Sequence, residues 1–124
     1  MTDNQIEQEI QAKGLTAPRI TPADVEANIV LEHYFTADDT DGVSKVNTRD
    51  KVELAVIRQH MHLLTFCVLV LRNGFTVTGE SACASPENFD AEVGRKIARA
   101  NAISKVWPLM GYELRSKLAS VGAA

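Results

Sequence analysis

The stretch LLTFCVLVLRNGFTVTGESAC, residues 63–83, decides the fold. An apolar run from Leu63 to Leu71 meets Asn73-Gly74 and is followed by an alternating run in which Thr76, Thr78 and Glu80 are polar. Asn-Gly between two such segments is the strongest short β-hairpin signature, because a type I′ turn needs positive φ at both central residues. With a two-residue turn the register faces Val70 with Val77, Val68 with Gly79 and Cys67 with Glu80. Cys67 and Cys83 then point to opposite faces, which disfavours a disulfide between them. Both sides of residues 63–71 are apolar, the pattern of a strand buried on two faces, so at least one helix must cover the hairpin.

That helix follows directly. Ser85-Pro86-Glu87 supplies an N-cap, a proline at the first position and an acid beside the positive helix end. Phe89, Val93, Ile97, Ala100, Ser104 and Trp107 continue one face at helical spacing, predicting a long helix over about 86–107. Gly94, Ala98, Asn101 and Ala102 form a narrow stripe of small residues where another backbone can approach closely. Pro108 lacks an amide and clashes with the preceding turn, which predicts a break and a short last helix over about 109–119 carrying Met110, Leu114 and Leu118 inward.

Upstream, Thr2 with Gln5 fits a capping box and Ile6 with Ile10 gives a thin apolar stripe, predicting a helix over about 3–13. Residues 1–19 read as a loosely attached helical arm on a single domain spanning 1–124. Thr21-Pro22 restarts a helix expected to run to about His33, with Val25, Ile29, Val30 and Tyr34 on its apolar face. His33 would then sit at the negative helix end. Residues 36–48 read as a polar connection and 49–61 as a helix. The fold class expected is α+β: N-terminal helices, a central antiparallel hairpin over about 63–83, then two helices.

At 124 residues, with 45% hydrophobic and 23% charged residues, the chain suits one globular domain without a disulfide or metal staple. Two cysteines and an N-terminus lacking a basic, apolar leader point to a reducing cytoplasm. No apolar run approaches the roughly 18 residues that a spanning helix needs, so no membrane partner is expected. The net charge of −3 hides an asymmetry: residues 1–42 carry nine acids against two bases, and residues 91–124 carry six bases against two acids. The C-terminal third is therefore the place to meet an anion.

The runs GFTVTGESAC, NFDAEVGRKIA and WPLMGYELR, within residues 63–118, resemble a family of small tailed-phage proteins carried as short accessory genes. ITPADVEANIVLEHYFTA, residues 20–37, looks like the opening helix of the same family, whereas residues 43–61 match nothing placed in it. The resemblance implies a phage origin and a role in the cytoplasm of the infected bacterial host, and carries no activity with it. A hairpin followed by two helices with a basic edge is also similar to small phage proteins that sequester nucleotide immune signals, a likeness of architecture alone.

For chemistry the sequence is sparse. Asp38, Asp39, Asp41 and Gly42 suggest a calcium loop, but Ala37 and Thr48 stand where ligands belong. His60 and His62 lack a third ligand at metal spacing, so neither a metal nor a cofactor is expected. No Gly-rich phosphate loop, nucleophile elbow or paired-carboxylate motif appears, which argues against an enzyme. A ligand-binding role rests on Ser81, Arg95, Arg99, Asn101 and Arg115. Arg95 and Arg99 are one turn apart and share a helix edge, and the Pro108 break would bring Arg115 across from them. Exposed arginines paired with Asp90 or Glu92 are the bland alternative. The expected ligand is an anionic nucleotide-type molecule, with docking on a host or phage protein as the alternative, and nucleic acid is not an expected partner. The uncovered face of residues 63–71, with the small-residue stripe, also calls for at least a homodimer.

Overall fold

The structure, a computed structural model, describes residues 1–39 and 41–122; Thr40, within the polar connection, lies outside them. Helix α1 spans Asp3–Ala12 and α2 spans Pro22–Ala27. Each opens on a full capping box, Thr2 with Gln5 and Thr21 with Asp24. Helix α2 stops at Asn28, five residues short of the His33 end expected for it, because Ile29–Thr36 form strand β1. The sequence IVLEHYFT is rich in β-branched and aromatic residues, which suit a pleated surface better than a helix. Its i, i+4 stripe fitted both forms, and pairing with the most apolar segment of the chain decides between them.

Strand β2 spans Leu64–Leu71 and β3 spans Thr76–Ala82; the sheet order is β1-β2-β3, antiparallel throughout. The hairpin turns at Asn73-Gly74, but with a three-residue loop. Leu71 N donates to Phe75 O at 2.8 Å, Gly74 N donates to Leu71 O at 2.9 Å, and among the described non-glycine residues none has positive φ. Within the loop only Gly74 takes the left-handed conformation, at φ +88°, the signature of a type I turn closed by a glycine bulge. Register therefore slips by one from the two-residue expectation: Leu69 faces Val77, Cys67 faces Gly79 and Phe66 faces Glu80. A one-residue slip moves a whole strand face to the other side. Val77 and Gly79 consequently join Cys67, Leu69 and Leu71 on one face, and the polar Thr76, Thr78 and Glu80 stand beside Val70, Val68 and Phe66 on the other. Cys67 and Cys83 now lie on the same side, four strand residues apart past Gly79, and both are free thiols.

Helix α4 spans Ala91–Ser120 and lies on the first of these faces. Its small-residue stripe is used there. A Cβ on Gly79 would stand 2.1 Å from Ala98 O and 2.3 Å from Ala102 N, so only glycine admits the helix this close. Ala98, Ala102 and Val106 are fully buried together with Cys67, Leu69 and Val25. The expected break at Pro108 does not occur: the helix passes through it without interruption. Proline removes one intrahelical bond, and side chains on both flanks, Val106 before it and Met110 after it, hold the helix to the core.

Helix α3 spans Lys51–Met61, as the sequence predicts, capped by Asp50 Oδ1 on Val52 N at 2.8 Å. None of its residues is buried, and its main contact is with a short 3-10 turn, Ala37–Asp39. No described helix is long and apolar enough to cross a membrane.

Candidate functional site

Helix α4 begins at Asp90, whose Oδ1 accepts from Val93 N at 2.9 Å, after a 3-10 turn over Pro86–Asn88. One turn in, Arg95 is exposed and has no ion-pair or hydrogen-bond partner among the described residues. One further turn on, Arg99 is fully engaged. Its Nη2 donates to Glu26 Oε2 and its Nε to Glu32 Oε1, each at 2.6 Å. The Glu26 and then the Glu32 carboxylate push the guanidinium pKa up, and Arg99, then the Tyr34 hydroxyl, hold Glu32 below the usual carboxylate range. Burial, then Glu32, raises the Tyr34 phenol in turn. Arg99 borders a 640 Å³ cavity between α1, α2 and α4 whose charged side chains are Asp3, Glu26 and Arg99. An anion there would have to displace two carboxylates.

Asn101 is likewise committed, its Nδ2 donating to Glu80 O at 2.7 Å and tying α4 to the β3 edge. Ser81 faces Thr65 on the helix-covered side of the sheet. Arg115 lies sixteen residues beyond Arg99 on one unbroken helix, about 24 Å away at the α-helical rise. The five residues expected to share a site thus divide: Ser81 and Arg95 lie towards the start of α4, Arg99 and Asn101 bind to the protein itself, and Arg115 is remote.

Towards that start two cavities adjoin. One of 560 Å³ is lined by Asp38, Arg58, His60, His62, Pro86 and Phe89 among others; one of 220 Å³ is lined by Thr36, Asp39, Thr65, Phe89 and Arg95 among others. His62 and Phe89 border both, with ring centroids 4.8 Å apart. Asp38 Oδ2 meets His62 Nδ1 at 3.0 Å, and the Thr36 hydroxyl, then His62, holds the Asp38 carboxyl low. Asp39 accepts from Thr36 N at 3.0 Å. Both carboxylates are therefore occupied, whereas Arg58 and Arg95 have no partner among the described residues. Thr65, 3% exposed, keeps its hydroxyl without a hydrogen-bond partner against Gly94. No group of three His, Cys, Asp or Glu among the described residues could hold a metal. His33, expected at a helix end, instead stands on β1 beside Phe35, centroids 5.7 Å apart.

Sequence reasoning missed Arg58, His62 and Phe89 as neighbours. The link between Asp38 and His62 spans twenty-four residues and has no local signature, although the Asp38 cluster and the His60/His62 pair were each visible.

A three-stranded antiparallel sheet backed by one long helix, with cavities beside the start of that helix, is a small α+β fold. The chain belongs to the phage protein (N4 Gp49/phage Sf6 gene 66) family, whose model matches residues 20–118 and so also runs through residues 43–61. No curated protein and no solved structure matches it.

Proposed function

We propose that this is a non-catalytic phage accessory protein of the infected cell's cytoplasm that sequesters an anionic, nucleotide-type ligand in the cavities between α3 and the start of α4. One observation carries the reading: in that cavity pair the carboxylates are already satisfied while Arg58 and Arg95 are not. A guanidinium binds phosphate through two parallel charge-assisted hydrogen bonds, and the Phe89 ring offers a surface for a base. Arg95 is the anchoring cation of the proposal, with Thr65 beside it in the smaller cavity.

The test is co-elution of nucleotides from a library incubated with the purified protein, followed by calorimetry. Arg95→Ala is expected to weaken binding by about 1.5–3 kcal/mol, the range for a hydrogen bond to a charged group, with the melting temperature unchanged. Binding that survives Arg95→Ala, or no binding of any nucleotide by the parent protein, rejects the reading. A second reading, docking on a host or phage protein with no small-molecule site, is favoured by the apolar sheet face left uncovered.

A further inference from the structure

The two cavities beside the start of α4 differ in size and in the cation that each holds. Pockets for whole small molecules run from roughly 300 to 1,000 Å³. The 560 Å³ cavity falls inside that range and the 220 Å³ cavity below it, so the smaller takes a fragment of a ligand whose body lies in the larger. Arg58 lines the larger cavity and Arg95 the smaller, and neither cavity is lined by both. The two guanidiniums therefore do not converge on one anionic group, and each can hold its own. Between them stand the rings of His62 and Phe89, which border both cavities.

The smaller cavity carries a further mark of a ligand. Thr65 lines it, is 3% exposed, and keeps a hydroxyl with no hydrogen-bond partner. A buried hydroxyl is ordinarily paired, because leaving it unpaired forfeits its hydration. This one lies against Gly94, where α4 has no side chain, and Ala91, the first residue of α4, lines the same cavity. The opening amides of a helix have no intrahelical acceptor and favour an anion. Asp39, the carboxylate of this cavity, is turned onto the Thr36 amide, and Asp38, the carboxylate of the larger, onto His62.

Resting on the sequestration reading, we infer that the ligand carries two separate phosphate groups, one on either side of a nucleoside. Arg95 and the Thr65 hydroxyl seat one phosphate in the smaller cavity, Arg58 holds the other in the larger, and the base lies against Phe89. A guanidinium meets a phosphate through two parallel N–H donors, and a base stacks on an aromatic ring whatever its identity. The 3′ and 5′ oxygens of one ribose are the attachment points that nucleotide chemistry offers. The ligand class is therefore a nucleoside 3′,5′-bisphosphate or a 5′-phosphorylated dinucleotide, which share this pair of phosphates.

The experiment is calorimetry with nucleoside 5′-monophosphates, the matching 3′,5′-bisphosphates and the matching 5′-phosphorylated dinucleotides. A two-phosphate compound is expected to bind at least tenfold more tightly than the monophosphate of the same nucleoside, and the tighter of the two kinds identifies the source. Arg58→Ala, on an exposed side chain of α3, is expected to erase that preference and leave the monophosphate affinity unchanged, whereas Arg95→Ala weakens both. Thr65→Val keeps the side-chain shape and is expected to weaken both at least tenfold while the melting temperature holds or rises, since it removes an unpaired buried hydroxyl. Equal affinity for one and two phosphates, a preference that survives Arg58→Ala, or binding indifferent to Thr65→Val overturns the inference and leaves the sequestration reading standing. Absence of any nucleotide binding overturns both.

Discussion

Strand β2 shows two apolar faces built from one run of residues, and their fates differ. Cys67 and Leu69 are wholly buried under α4, while Phe66 and Val68, which alternate with them, remain half-buried. Hydrophobicity does not distinguish the two sets; what distinguishes them is the partner that β3 brings. On the α4 side β3 contributes Val77 and the Gly79 gap, and on the other it contributes Thr76, Thr78 and Glu80. The closed face thus owes its burial to a missing side chain as much as to the ones present.

The largest effect should come from filling that gap. Gly79→Ala places a methyl group onto the α4 backbone at Ala98 and Ala102, where no side chain can swing away. Urea melts are expected to show a loss of about 3 kcal/mol or more, whereas Thr78→Ala, one residue away on the open face, should stay within about 0.5 kcal/mol. If both cost the same, the helix does not rest on Gly79. Leu69→Ala comes next, at about 2–5 kcal/mol for a fully buried leucine. Val68→Ala, measured dilute enough to dissociate any dimer, should cost less than about 1 kcal/mol, because its methyls are already partly in water.

The two arginines of α4 sharpen the same contrast on a charged scale. Arg99→Ala strands Glu26 and Glu32 and should cost about 1–2 kcal/mol, a figure lowered by the partial exposure of the pair. Arg95→Ala should leave stability within about 0.5 kcal/mol. A thermal melt of each variant is the check, and reversed results would exchange their roles.

The smallest expected effect concerns the arm. Glu7 is held at about 2, below its ordinary 4.5, by the Arg19 side chain and then Gln11, with Arg19 Nη2 2.8 Å from Glu7 Oε2. A depressed carboxylate stabilises the fold fully above its unfolded pKa and loses that contribution as pH falls through the folded one. Docking of α1 should therefore be unchanged from neutral pH to about 5 and weaken between about 4.5 and 2. Amide exchange of residues 3–12 against pH measures it, and Glu7→Gln should flatten that dependence.

How much of this was written legibly in the sequence varies by element. The capping residues of α1 and α2, the hairpin and α3 were readable because each rests on neighbours within a few positions. Strand β1 was not, since Val25, Ile29, Val30 and Tyr34 fit a helical stripe and the choice depends on β2, some forty residues on. The turn type escaped because Asn-Gly serves both two- and three-residue loops, and Arg72 is drawn out of the strand by Asn28 O, which accepts from Arg72 N at 3.0 Å. At Pro108 the local rule was sound and the tertiary contacts of Val106 and Met110 outweighed it. For the candidate site, spacing placed Arg95 and Arg99 on one edge, but it could not reveal that carboxylates 73 and 67 residues away claim only the second.

Trp107, the single tryptophan, donates its indole N–H to Asp3 Oδ2 at 3.1 Å and stands between α1 and the core. The molecule therefore carries its own optical gauge of the arm. Excited at the tryptophan band, the docked chain should emit from a half-shielded ring, and any condition that lifts α1 should shift that emission to the red while the circular dichroism of the sheet and α4 holds. Release of the arm and melting of the domain become two separate signals in one unlabelled cuvette.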